Sequence, residues 1–356
     1  MSTPRAIAKR ISSSLGTILR SALPAPQGIK SSDFSSAADH WSEVFSGNLE
    51  ELISRQTYWL AIPEVQERYN RLATGGRHDD WIAFCLSEYL SGALPVERML
   101  SIGCGQGDLE LGLASHNAFR EFDAFDIAEG AISAARARAK DAGVLNVNFE
   151  VQDVNRLTLA ANRYDAAWFN MSLHHIEALE HVCGQVSQAL KPGGFLFVNE
   201  YVGPSRFDFS ARQKEVLDLV NRLLPKKYRR VPPPLQQYRD SPPVPDPAEV
   251  SRVDPSEAVR SSDILKVLPQ FFDIQTCHPI GGTILQFLLG TIAWNFRTED
   301  PDSIKVLKML FTIEETLIEV GDLQSDFALI VARPKKGLGD PALSPAPTAV
   351  RTEPES

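Results

Sequence analysis

A chain of 356 residues with 43% hydrophobic content can bury one large core or two modest ones. Its formal net charge of −9 argues against a surface built for nucleic acid, and no such partner is expected. Four scattered cysteines, Cys85, Cys104, Cys183 and Cys277, give neither a disulfide framework nor a zinc cluster, which fits a reducing, cytoplasmic setting.

Residues 1–32 carry five basic side chains (Arg5, Lys9, Arg10, Arg20, Lys30) and no acidic one. Ile7, Ile11, Leu15, Ile18 and Ala22 share one helical face. Three readings stay open for this stretch: a leader helix, a helix making weak contact with a membrane surface, and an organelle transit peptide. Residues 33–95 read as an N-terminal helical cap, helical from Trp41 to Leu94, with Trp41, Tyr58, Trp59 and Trp81 as its aromatic material.

From residue 96 strands and helices alternate. Glu97–Ile102 is a short strand, followed by a glycine cluster and a helix over 108–115. A second strand spans 122–127, an Ala/Arg/Lys-rich helix 130–142, a third strand 147–154 and a fourth 164–172. A helix over 177–190 should stop at Lys191-Pro192-Gly193-Gly194, ahead of a fifth strand over 195–202. Such alternation requires a parallel sheet covered on both faces. This core, 96–203, is followed by a proline-rich segment, 204–257, with nine prolines between Pro225 and Pro255 and the basic run Lys226-Lys227-Tyr228-Arg229-Arg230. It reads as a lid or substrate segment, its basic run either a solvated face or an attractor of an anionic acceptor. Residues 258–334 complete the core, with a helix over 256–271, strands over 272–278 and 325–333, and inserted helices between them. No apolar run reaches the roughly 18–20 residues of a membrane span; the nearest, 284–296, is broken by Gln286, Gly290 and Asn295 and reads as a buried helix. Residues 335–356 have the composition of a disordered tail.

The glycine cluster Gly103-Cys104-Gly105-Gln106-Gly107 sits where a strand turns into a helix. A dinucleotide fingerprint needs glycine at 108, where this chain has Asp108, so a nicotinamide enzyme is disfavoured. Asp126 closes the second strand, where a carboxylate can accept from vicinal ribose hydroxyls, and Asp153 ends the third, where an acceptor could meet an adenine amine. Either aspartate could equally be a loop or cap residue.

With these residues in place, 98–202 resembles the class I S-adenosylmethionine-dependent methyltransferases. The resemblance lies in LSIGCGQG (100–107), FDAFD (122–126), FEVQD (149–153), YDAAWFNMSLHHI (164–176) and ALKPGGFLFVNEYV (189–202), all in the family's order. It implies an α/β, Rossmann-like, doubly wound and mostly parallel seven-stranded sheet, with the helical cap before it and a helical insertion before the last strand. It implies S-adenosyl-L-methionine as cofactor, with Gly103, Gly105 and Gly107 against its methionine part, Asp126 on the ribose and Asp153 near the adenine. Ser101, Cys104, Ile127, Val154, Asn170 and Ser172 complete the expected cofactor-contacting set. Ser101 departs from the pattern, since the family usually has Asp or Glu there, and another contact to the cofactor's amino group is then needed.

Methyl transfer demands in-line positioning, plus a base where the acceptor must lose a proton. His174, His175 and Glu200, at the ends of the fourth and fifth strands, are the candidate catalytic residues, although either histidine could instead pack or cap. The stretch Asn170-Met171-Ser172-Leu173 lacks the Pro-Pro-aromatic motif of amino-methylating DNA enzymes. Carboxylates near the fourth strand are scattered, so no metal is expected. The acceptor is expected to be a small molecule, a lipid-linked group or a glycan, methylated at oxygen. A methyltransferase-like module that binds without catalysis is the alternative.

Overall fold

The computed structural model describes residues 58–232 and 237–335. The leader, Trp41, the start of the cap and the tail from 336 lie outside the described residues. Pro63–Ala73 (α1) and Trp81–Cys85 (α2) form the described part of the cap. Pro63 stands at the first helical position of α1, where its missing N–H costs nothing. Asp80 caps α2 by accepting from Ala83 N at 2.8 Å.

The core follows as Val96–Ile102 (β1), Asp108–Ser115 (α3), Phe119–Asp126 (β2), Glu129–Asp141 (α4), Val147–Val151 (β3), Tyr164–Asn170 (β4), Leu179–Ala189 (α5) and Leu190–Tyr201 (β5). Beyond it lie Ala211–Leu223 (α6), Pro247–Val253 (α7), Ile264–Phe271 (α8), Phe272–Gly281 (β6), Leu285–Leu289 (α9), Pro301–Glu319 (α10) and Phe327–Pro334 (β7). The sheet has seven strands in the order β3-β2-β1-β4-β5-β7-β6. Its first five strands are parallel, and β7 runs antiparallel between β5 and β6. Strand order reverses between β1 and β4, which opens a crevice at their carboxyl ends, the place where open α/β sheets bind ligands.

Side chains alternate across the sheet with the two-residue period of a strand. Met99, Ala124, Ala166, Trp168 and Phe197 enter the core that includes Trp59 and Trp81, with Trp168 stacked on Phe197 at 4.2 Å. Leu100, Ile102, Phe125, Ala167, Phe169 and Val198 enter the core on the other face, with α5 and α8. Burial on both faces explains why these strands read as nearly continuous apolar runs.

Several boundaries differ from the sequence reading. Lys191-Pro192-Gly193-Gly194 is not a link between helix and strand: α5 ends at Ala189 and Leu190 already pairs with Tyr164, so the four residues bulge within β5. A Cβ on Gly194 would lie 3.0 Å from Lys191 O and 3.1 Å from Asp165 O. The third strand ends at Val151, because Asp153 turns the chain into a short 3₁₀ turn, Val154–Arg156. The helix expected over 256–271 begins only at Ile264. Asp254 instead accepts from Ser256 N and Oγ at 2.8 and 2.7 Å, a local turn that competes with helix. The proline-rich segment is packed rather than loose: Tyr228 stacks on Phe296 at 4.9 Å, and buried Arg239 donates to Gly290 O, Leu288 O and Asn221 Oδ1. The apolar run 284–296 is buried as expected, in short turns around α9 rather than one helix. Among the described residues no helix is long and apolar enough to cross a membrane.

Candidate active site

Between β1 and α3 the chain turns on three glycines with φ of +69° (Gly103), +56° (Gly105) and +78° (Gly107), a region that strains other residues. Gly107 has a packing reason as well. A Cβ there would sit 2.9 Å from Phe149 Cζ and 3.3 Å from the Ala135 methyl, so β3 and α4 close directly on the loop.

The loop spends most of its amides internally. Gly103 N and Cys104 N donate to Phe125 O at 2.7 and 2.9 Å, Gly105 N to Asp126 Oδ2 at 2.7 Å, and Gly107 N to Cys104 O at 3.1 Å. A phosphate cradle needs such amides pointing outward at a positive helix end. Here they are committed, and the first turn of α3 carries Asp108 and Glu110. The turn therefore suits a ligand with a positive group, such as a sulfonium amino acid, better than a pyrophosphate.

Asp126 braces this turn, also accepting from Ala128 N at 3.0 Å. A carboxylate has about four acceptor positions, enough to brace the loop and receive a ligand hydroxyl. Ser101 donates its hydroxyl to Glu110, and both are buried. Glu110 thus brings to β1 the carboxylate that position 101 lacks, a contribution the sequence reading missed. Asp153 caps the 3₁₀ turn by accepting from Asn155 N at 3.1 Å and lies 3.5 Å from Arg156 Nε. Ile127 and Val154 are half-buried just beyond β2 and β3. Cys104 is buried within the turn.

Ser172 Oγ donates to Ile102 O at 2.7 Å, which fastens the end of β4 to the start of the glycine turn. Beside it Asn199 Nδ2 donates to Asn170 Oδ1 at 3.0 Å, and Tyr69 Oη donates to Asn199 Oδ1 at 2.6 Å. Burial pushes the Tyr69 hydroxyl well above its ordinary value, so it stays a donor. The cap helix α1 therefore reaches the carboxyl edge of the sheet through one phenol.

The next residue after Asn199, the fully buried Glu200, accepts from Ser172 N at 2.9 Å, Leu173 N at 2.6 Å and Tyr201 N at 2.7 Å, and it bonds His174 Nδ1. Both carboxylate oxygens of Glu200, a candidate catalytic residue of the sequence reading, are thus engaged within the protein. On the other side of His174, Glu257 Oε1 lies 3.6 Å from Nε2. His175, the more exposed of the pair at 18%, has Nδ1 3.2 Å from Ser256 Oγ and 4.0 Å from Asp254 Oδ2.

Asp254, Ser256 and Glu257 were absent from the sequence-based set; they stand about 80 residues from the histidines they face. Two features pin their segment down. Val259 N donates to His174 O at 3.0 Å, and Arg260 forks onto Glu180 at 2.7 Å on each arm, holding that carboxyl at about 2. The end of the proline-rich excursion thus closes on the histidine pair.

Residues 99–194 match the family model of the methyltransferase domain. This segment is thus similar to a methyltransferase domain. The methyltransferase match extends to curated relatives. The chain is 33% identical over 121 residues to 27-O-demethylrifamycin SV methyltransferase of Amycolatopsis mediterranei, covering 33% of this chain and 44% of that protein. It is also 33% identical over 137 residues to a ubiquinone/menaquinone biosynthesis C-methyltransferase of Ectopseudomonas mendocina, covering 38% and 53%. The chain spans about half the length of the curated relatives it matches. A geranyl diphosphate C-methyltransferase from Streptomyces coelicolor superposes with a TM-score of 0.48 at 12% identity, covering 85% of this chain and 97% of that one. The methyltransferase cofactor, S-adenosyl-L-methionine, fits a turn with committed amides, left-handed glycines and the nearby carboxylates of Asp126 and Glu110.

Proposed function

We propose that this protein is an S-adenosylmethionine-dependent methyltransferase acting on a small-molecule, lipid-linked or glycan hydroxyl, bound at the carboxyl ends of β4 and β5. One observation supports this reading above others. The Ser172–Ile102 bond joins the glycine turn to a histidine pair that is itself clasped by residues 254–260. The cofactor supplies an electrophilic methyl group. The chain's part is to hold Gly103–Gly107 and Asp126 around it, and to keep water out with the clasp. His174 and His175 stand where an acceptor proton would leave, with Glu200 fixing the first imidazole. At Ser101, where the family usually has an acid, Glu110 brings a carboxylate close by.

Calorimetry with S-adenosylhomocysteine, followed by transfer of a labelled methyl group to a panel of phenols, enols, prenylated quinols and glycans, tests the reading. Micromolar binding and turnover on a hydroxyl acceptor are expected. Binding without turnover on any acceptor would return the non-catalytic module; no binding would remove the whole reading.

A further inference from the structure

We infer that His174, His175 and Glu257 form a binding site for a divalent transition-metal ion beside the cofactor turn. One donor atom from each lies within 4.8 Å of the other two, and His174 and Glu257 are buried. His174 Nε2 and Glu257 Oε1 stand 3.6 Å apart. That is too long for a hydrogen bond. Two donors about 2.1 Å from a tetrahedral ion stand roughly 3.4 Å apart, which the pair already matches. His175, at 18% exposure, has its donor atom within 4.8 Å of both, so a shift of at most about 1.4 Å brings the set to ion-binding distances.

The surroundings carry the same imprint. A metal-binding histidine characteristically gives its other ring nitrogen to a carboxylate or similar acceptor, which fixes the tautomer and aims the ligating nitrogen. Glu200 does this for His174, leaving Nε2 turned toward Glu257. Ser256, itself bonded to Asp254, stands on Nδ1 of His175. Charge points the same way. Three buried carboxylates, Glu200, Asp254 and Glu257, face the two imidazoles. The nearby guanidinium of Arg206 donates to the main-chain oxygens of Asp254 and Glu257, at 3.4 and 3.0 Å, and its charge is also felt by their carboxylates. A doubly charged ion suits a pocket so lined with carboxylates.

Two imidazoles and one carboxylate select Zn²⁺ and its first-row neighbours over Mg²⁺, which prefers oxygen alone. Three protein ligands leave a coordination position open, and an acceptor hydroxyl bound there would lose its proton more readily. Only that last consequence rests on the methyltransferase reading. The ion site itself departs from the expectation of no metal. It was hidden because Glu257 joins the histidines only through the folded clasp.

The full-length protein, stripped by a chelator and titrated with Zn²⁺ in a calorimeter, should bind one ion. Co²⁺ in its place should show the visible bands of a four-coordinate nitrogen–oxygen site. Glu257→Gln, which keeps the side chain's size, should weaken Zn²⁺ by at least roughly tenfold and alter the Co²⁺ bands. His175→Ala should abolish the site, while Cys277→Ser, which removes the exposed thiol, should leave it intact. Absent binding, or equal affinity in wild type, Glu257→Gln and His175→Ala, overturns the proposal. S-adenosylhomocysteine titrated into the same samples separates the two readings. Zn²⁺ bound without it sinks the proposed function alone, and its binding without Zn²⁺ sinks the ion site alone.

Discussion

The two ends of the crevice are built by different means. On the β1–β3 side, the cofactor turn draws on residues 101–110 and on Asp126, and backbone hydrogen bonds between neighbouring segments fix its shape. On the β4–β5 side, the histidine pair depends on Glu200, Asp254, Ser256 and Glu257, brought together from 26 to 83 residues away. The first is a local backbone device with a sequence signature. The second is a tertiary device whose parts carry no mutual signature. Damage should therefore be confined: changes in the turn should strike cofactor binding, and changes at the clasp should strike turnover.

The largest effect is expected from Gly105→Val. Position 105 has φ of +56°, and a β-branched residue there cannot keep the turn. S-adenosylhomocysteine binding should disappear while the circular dichroism of the sheet persists. Normal affinity in a folded variant would remove the glycine turn from the cofactor site.

Next comes His175→Ala, which should lower kcat by about 10²–10⁴-fold for a hydroxyl acceptor and leave cofactor affinity nearly unchanged. A joint loss of stability, cofactor binding and rate would erase the contrast between the two ends and make the histidine structural.

Asp126→Ala should cost about 1.5–3 kcal/mol of cofactor binding, or at least roughly tenfold in Kd. Its carboxylate also braces Gly105 N and Ala128 N, so Asp126→Asn sharpens the reading. The amide keeps an acceptor for the loop but loses the charge, and its affinity should fall between the two. Titration of all three proteins measures this, and equal affinities would contradict the ribose role.

The smallest effect on the crevice itself comes from Asp326, just before β7, whose part is in stability. Burial raises its carboxyl to about 8, against a bond from Gln213 at 2.9 Å that lowers it; Glu314 nearby adds to the rise. The folded chain holds this proton up to about pH 8, whereas the unfolded chain releases it near the ordinary 3.8. Stability therefore falls as pH rises through that window and levels off above it. Asp326→Asn should flatten the fall, by roughly 2–4 °C in Tm for each kcal/mol involved. Parallel Tm–pH curves for wild type and variant across that window would show that Asp326 carries no such proton.

The strands up to β5 were legible in the sequence because each is a short apolar run, and parallel strands must be separated by connecting segments, here mostly helices. The bulge at Lys191–Gly194 was not. Glycine and proline mark a break in regular structure without saying whether it ends a strand or kinks one. Asp153 shows the same limit, since a strand-end aspartate reads alike whether it caps a turn or meets a ligand.

By itself, then, the sequence determined the sheet, the glycine turn with Asp126, and the methyltransferase resemblance. The alternation of strands and helices is a pattern along the chain, and the glycine turn meets Asp126 between consecutive strands, so spacing records both. Only the tertiary structure decided that Glu110 makes good the missing acid at 101, and that Tyr69 reaches the strand ends from the cap. It alone decided that Glu257 faces His174. Those pairings arise where separate segments are forced together by burial, and burial leaves no periodic trace of which polar side chains will meet.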